Sequence, residues 1–187
     1  MGPPSPGALA SLALVGFWLI ELFLRKGSSA RSWRMSAADR GSTVAIILAY
    51  VLVGTALTLQ VRGPRLPSWA PGLGALLAVA GLGLRVVAFR TLGSSYSRTL
   101  RVTDDQMLVT RGIYRFVRHP GYTSAIVIWC GAAAASGSVV AFAAVAVTLV
   151  AVYVYRIAAE EHMLAQSFGA QYQEYQAHSW RLLPYIY

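Results

Sequence analysis

The chain has 187 residues, of which 56% are hydrophobic and only 12% charged, with a mean hydropathy of +0.53. A water-soluble domain averages about a quarter charged residues, so a soluble fold and a disordered chain are excluded, and the single Cys130 excludes a disulfide scaffold. The 16 Lys and Arg against 7 Asp and Glu give a net charge of +9. These basic residues lie between apolar segments, which points to anionic headgroups and an anionic ligand rather than to nucleic acid.

Five apolar stretches follow in chain order: 8–24, 43–61, 73–89, 122–136 and 139–155. At 1.5 Å per residue each is roughly long enough for a hydrocarbon core of about 30 Å. The expected fold is therefore all-α, one integral membrane domain over residues 1–187 with about five transmembrane helices. The first stretch reads as a retained span rather than a secretory signal, because Gly2-Pro3-Pro4-Ser5-Pro6 before it carries no Lys or Arg. Glu21 near its inner end is expected to pair with Arg25 one turn on, with a substrate role as the alternative.

At the start of and within the third stretch, Gly72-x-Gly74 and Gly81-x-Gly83 suit close helix packing, since no strand precedes them as a dinucleotide loop requires. The fourth and fifth stretches are short, Ala-rich and joined by Ser136-Gly137-Ser138. That pattern predicts a tight hairpin whose small residues let the two backbones approach closely. Trp18, Trp33, Trp69, Trp129 and Trp180 are expected as interface anchors or packing, and Cys130 as a buried, unreactive thiol.

Orientation follows from the basic residues. Arg25, Lys26, Arg31, Arg34 and Arg40 occupy the first connection, and Arg90, Arg98, Arg101, Arg111, Arg115 and Arg118 the third. The second connection has only Arg62 and Arg65, and the hairpin tip has none. The N-terminus is thus expected outside and the C-terminal tail in the cytoplasm. The Ala, Gly and Arg bias suggests a GC-rich bacterium and hence an inner membrane.

Two cytoplasmic segments exceed what packed helices need as connections. Residues 90–119 are long enough for a lid or binding loop. In residues 156–180, Leu164, Phe168, Tyr172 and Tyr175 recur at helical spacing, which predicts an amphipathic helix lying on the membrane surface or on the lid. His162 and His178 are expected on its exposed side.

The chemistry-bearing residues lie in these segments. In Arg118-His119-Pro120-Gly121-Tyr122, proline stands where the fourth span should begin, a position that tolerates its missing N–H. The helix N-terminus then favours an anionic group such as a carboxylate, flanked by His119 and Tyr122. The alternative is that Arg118 and His119 merely snorkel toward headgroups. Directly after the fifth span, Arg156 and Glu160 share a helix face. A surface ion pair there would contribute only ~0.2–0.5 kcal/mol, and basic-before-acidic is its poorer order. Glu160 and Glu161, adjacent acids at a membrane surface, instead suggest a cationic ligand, an ammonium or a sulfonium.

The run from Gln106 through Arg111-Gly112-Ile113-Tyr114 to Arg118-His119-Pro120-Gly121-Tyr122 is followed after the hairpin by a second motif. That motif comprises Arg156-x-x-x-Glu160-Glu161, Leu164, Phe168-Gly169, Tyr172, Tyr175 and Leu183-Pro184. Together they resemble the isoprenylcysteine carboxyl methyltransferase family over the C-terminal half, and phospholipid N-methyltransferases more loosely.

The resemblance implies S-adenosylmethionine as cofactor, taken from the cytosol, and a lipophilic acceptor from the bilayer, most simply methylated on a carboxylate. It implies a cytoplasmic cofactor pocket built from the 90–119 lid, the fourth and fifth helices and the tail helix. Gln106, Met107, Leu108, Val109, Tyr114, His119, Pro120, Gly121 and Tyr122 would line it, with Glu160 on the cofactor's amino group. Arg156 would hold the acceptor's acid, with Glu161 beside the substrate. No metal site is implied. Two positions depart from the family pattern: Gln106 stands where histidine is common, and Ser124 where glycine is. The alternatives are a sterol-type NADPH reductase, whose proteins share an Arg-His-Pro element and a similar tail but have about twice the length, or a non-enzymatic membrane scaffold.

Overall fold

The computed structural model describes residues 3–25, 39, 41–59, 63–93 and 107–185. Among them are six helices: α1 Pro6–Arg25, α2 Ser42–Thr58, α3 Ala70–Leu92, α4 Pro120–Ala135, α5 Val139–Phe168 and α6 Ala170–Ala177, with a 3₁₀ turn at Gly112–Arg115. No strand occurs among the described residues, only isolated bridges between Arg65 and Ser138 and between Val117 and Trp180. The all-helical fold is as the sequence predicts. Two of the helices, α3 and α5, are long and apolar enough by themselves to cross a membrane.

The packing is inverted relative to a soluble bundle. Leu12, Leu48, Val51, Leu76 and Val147 are each more than 60% exposed, while much of the interior is alanine and glycine. Lipid leaves no incentive to bury leucine, so helices associate through small residues that permit close approach. The closest approach lies between α3 and α4. A Cβ on Gly74 would stand 2.6 Å from the Gly131 carbonyl oxygen, and one on Gly131 would stand 2.6 Å from that of Gly74. The small residues of α4 thus serve α3 at Gly131 as well as the hairpin partner α5, whose Val145 and Leu149 share a core with Ala125 and Ala133. Gly72 and Gly83, by contrast, have open space beside them.

The hairpin tip is tied down from outside. Leu66 donates its N–H to the Gly137 carbonyl at 2.9 Å, Val139 donates to Pro64 at 3.1 Å, and Arg65 Nη1 reaches the Ser136 carbonyl at 3.1 Å. A larger apolar core of Phe17, Val53, Ile128, Trp129, Val145, Leu149 and Tyr153 joins α1, α2, α4 and α5, with Cys130 partly buried against it. Trp129 therefore packs inside, whereas Trp18 and Trp69 are exposed. Trp33 lies outside the described residues.

The tail departs from expectation in one respect. Helix α5 runs from the fifth span straight into the tail as far as Phe168, because no Gly or Pro interrupts residues 139–168. It stops at Gly169, whose φ of 51° suits glycine. The expected single helix over 156–180 is therefore the end of α5 plus the short α6. That helix docks on the lid segment: Tyr172 is fully buried, and the Tyr175 hydroxyl donates to the Tyr114 carbonyl at 2.6 Å. His162 and His178 are exposed, as predicted.

Candidate active site

Three segments converge at one end of the bundle: the start of α4, the last turns of α5, and a strap after α6. The Trp180 N–H donates to the Phe116 carbonyl at 3.0 Å, Arg118 donates to the Trp180 carbonyl at 2.7 Å, and His119 donates to the Arg181 carbonyl at 3.0 Å. Thr123 Oγ1 adds a bond to the Leu182 carbonyl at 2.8 Å. Proline at 120 costs no hydrogen bond, and the His119 carbonyl accepts from both Tyr122 and Thr123.

Glu161 lies at the centre of this junction, its side chain 7% exposed. Its Oε1 accepts from Arg118 Nε at 2.9 Å and lies 3.3 Å from His119 Nε2, while Oε2 accepts from Arg181 Nε at 2.9 Å. Gln176 Nε2 stands 3.5 Å away. Burial pushes the carboxyl up, but hydrogen bonds and charge from His119 and Arg118 outweigh it and hold its pKa at about 2. Arg118 and His119 are thus packed against Glu161, not directed toward headgroups, the alternative that the sequence left open. Protein cations meet both Glu161 oxygens, because an unpaired buried carboxylate would be far costlier.

This depressed pKa makes a testable link to pH. The stabilisation is complete above about pH 5 and is lost as pH falls through about 2, amounting to roughly 3 kcal/mol. Thermal unfolding of the detergent-solubilised chain between pH 6 and 2 should show that loss. The Glu161→Gln variant should start less stable and show a shallower decline.

Glu160 is different. Its side chain is 25% exposed, it accepts from the Tyr122 hydroxyl at 2.6 Å, and it lies 3.7 Å from His119 Nδ1. The same Tyr122 oxygen accepts from Arg156 Nε at 3.1 Å. Arg156 and Glu160 thus meet on one hydroxyl. The Tyr122 ring stacks on His119 with centroids 5.5 Å apart and 11° between planes, and tilts against Tyr153 at 4.8 Å. The Tyr153 hydroxyl in turn bonds that of Tyr50 at 2.5 Å.

Arg156, 2% exposed, is held on its other side by residues that the sequence reading passed over. Its Nη1 lies 2.6 Å from Asp39 Oδ1, 2.7 Å from Ser42 Oγ and 3.0 Å from Thr43 Oγ1. Burial raises the Asp39 pKa, and the hydrogen bonds of Thr43 and Ser42 together with the Arg156 charge bring it below the usual carboxylate value. An acid three and four residues before a Ser-Thr pair at a helix start is a capping signal, which was legible. Its reach to α5 was not.

A second missed pair lies one layer deeper. Arg85, buried in α3, pairs with Glu21 of α1 and donates to the Gly121 carbonyl at 3.1 Å and to Ser124 Oγ at 3.4 Å. Its guanidinium sits 4.2 Å from the Phe17 ring centroid and 4.7 Å from that of Phe89. An arginine inside an apolar span was itself the signal. The Ser124 hydroxyl, in place of the common glycine, donates to Gly121 at 2.7 Å and so fits without disrupting the helix. The side chain of Arg25, expected opposite Glu21, lies outside the described residues.

Of the residues expected around a cofactor, the fold brings together His119, Tyr122 and Glu160, with Pro120 and Gly121 in the same first turn of α4. Tyr114 is buried beneath Tyr175. Met107 is 79% exposed, and Leu108 and Val109 are half-buried. Gln106 lies outside the described residues.

The model of the isoprenylcysteine carboxyl methyltransferase (ICMT) family matches residues 74–166, a range that holds the Arg118 to Tyr122 motif and Arg156, Glu160 and Glu161. The chain belongs to that family. This ICMT-family chain is 32% identical over 109 residues to protein-S-isoprenylcysteine O-methyltransferase A of Arabidopsis thaliana, covering 57% of itself and 55% of that relative. It is 31% identical over 116 residues to a probable protein-S-isoprenylcysteine O-methyltransferase of Oryza sativa subsp. japonica, covering 61% of each. It thus spans a little over half to three fifths of the length of these relatives. Among solved structures, that of the eukaryotic intramembrane Ras methyltransferase ICMT superposes with a TM-score of 0.64 at 24% identity, over 94% of this chain and 63% of that one. The shared fold is that of an integral membrane protein.

Proposed function

We propose that this chain transfers a methyl group from S-adenosylmethionine to the carboxylate of a lipophilic, bilayer-resident acceptor of the isoprenylcysteine type. The observation that carries the reading is the single Tyr122 hydroxyl shared by Glu160 and Arg156, which sets a carboxylate and a guanidinium side by side at one end of the bundle. Family membership favours it over a reductase or a scaffold. The site is read as cytoplasmic, with five spans and the N-terminus outside, because the basic connections flank the end where α4 begins and α5 leaves the span.

The residues present fit such a cofactor. Glu160 is the partly open acid beside the flat Tyr122 and His119 rings, and it suits an ammonium group, whereas Glu161 is saturated by protein cations. When bound, S-adenosylmethionine supplies a methyl group activated by the adjoining sulfonium. An acceptor carboxylate is already ionised at pH 7, with an ordinary pKa near ~4, so no general base is needed and His119 can serve as a fixed partner of two acids. Arg156 presents a planar guanidinium that orients the carboxylate for in-line attack.

Glu160→Gln removes a charge-assisted hydrogen bond contributing roughly 1.5–3 kcal/mol. Calorimetric titration of the purified protein should show S-adenosylhomocysteine binding weakened about tenfold or more, with the fold intact. Unchanged affinity in a folded Glu160→Gln protein rules the assignment out.

A further inference from the structure

We propose that Asp39 is a positioning residue for methyl transfer, fixing the plane of the Arg156 guanidinium toward the acceptor; this rests on the reading of Arg156 given above. The Ser42 and Thr43 hydroxyls each accept from Arg156 Nη1, at 2.7 and 3.0 Å, and each donate to Asp39 Oδ1, at 3.0 and 2.8 Å. The direct contact of Nη1 with Oδ1 at 2.6 Å closes this ring of hydrogen bonds. A guanidinium is rigid and planar, and its covalent Cδ is a third in-plane point, so two located nitrogens together with that attachment define its orientation. Asp39 locates Nη1, and the Tyr122 hydroxyl locates Nε at 3.1 Å. The anchor is therefore set before an acceptor arrives, and its alignment is not found anew in each turnover.

Two simpler roles explain less. A cap for α2 needs only an oxygen for the Thr43 N–H, which Asp39 Oδ2 accepts at 3.3 Å, and asparagine would serve equally well. A displaceable stand-in for the acceptor's carboxylate should be loosely held, yet Asp39 is 1% exposed and hydrogen-bonded through both oxygens. Charge at position 39 is thus used on Arg156, which lies 117 residues away in sequence.

The test is a double-mutant cycle on the full chain in lipid nanodiscs, with a farnesylated N-acetylcysteine as acceptor. Asp39→Asn should lower kcat/KM for the acceptor about tenfold or more and leave S-adenosylhomocysteine affinity within about twofold, with Tm lowered because a buried ion pair is broken from one side. In an Arg156→Ala background the same change should alter the residual rate less than about twofold. Equal losses in both backgrounds, lost cofactor affinity, or a wild-type rate in Asp39→Asn overturns the proposal. Should Asp39→Asn fail to fold, Thr43→Val takes its place in the same cycle. It keeps both charges while removing one bridging hydroxyl, and it should give a smaller loss confined to the Arg156 background. An Arg156→Ala enzyme at full rate defeats the anchoring role itself, whereas a fully active Asp39→Asn with a crippled Arg156→Ala defeats only the positioning role.

Discussion

Arg156→Ala is expected to lower kcat/KM by at least ~10²-fold while leaving cofactor affinity nearly intact, because it removes alignment of the acceptor and not a cofactor contact. Lysine should restore little of this. Its single point charge cannot reach the Tyr122 hydroxyl and the Asp39–Ser42–Thr43 ring in fixed directions, as the guanidinium does through Nε and Nη1. Single-turnover methyl transfer at saturating cofactor, compared for Arg156→Ala and Arg156→Lys, decides the point. A rate near wild type in Arg156→Ala removes Arg156 from the acceptor site, one near wild type in Arg156→Lys reduces its role to charge, and loss of cofactor binding moves it to the other half.

The largest effect on stability is expected at Arg85. Arg85→Met leaves the Glu21 carboxylate without this counter-ion inside an apolar bundle and removes the donor to the Gly121 carbonyl and Ser124 hydroxyl, which keep their bond to each other. Breaking a buried pair from one side costs about 3–5 kcal/mol, and Glu21, one fifth exposed, belongs at the lower end. Pairing the change with Glu21→Leu should recover most of the loss, since a matched apolar replacement leaves no uncompensated charge. Thermal or denaturant unfolding in detergent distinguishes the cases. A double variant as unstable as Arg85→Met alone would mean that the bonds to Gly121 and Ser124, rather than the ion pair, carry the stabilisation.

What the sequence made legible was of two kinds. Helices announce themselves through long apolar runs, so α1 to α5 fall where hydropathy puts them. The residues flanking Tyr122 and Glu160 were visible because rare polar types stood at helical spacing beside a span. Partnerships between distant segments left no comparable trace. Nothing near Glu161 says that Arg118 and Arg181, 43 and 20 residues away, will converge on it. Nor does Arg156 announce Asp39. The additional pairing of α4 with α3 was illegible for a related reason: alanine and glycine mark a close approach but do not name the neighbour, and Gly131 lies against Gly74 of α3. The spacing signal at Leu164, Phe168, Tyr172 and Tyr175 was real, yet periodicity is blind to the single positive φ at Gly169 that divides the helix.

The strap over Arg118 and Glu161 also sets an order of events during biosynthesis. All five apolar helices precede residue 169, so the bundle can partition into the bilayer while residues 176–182 are still inside the ribosome. Arg118 gains the carbonyls of Gln176 and Ser179, and Glu161 gains Arg181, only after those residues emerge. With 63 residues between Arg118 and Arg181, the delay is roughly 3–13 s at about 5–20 residues per second. Insertion and assembly of this junction are thus separate stages of the chain's life, and the surroundings of Glu161 are complete only when the strap after α6 folds back onto the first turn of α4.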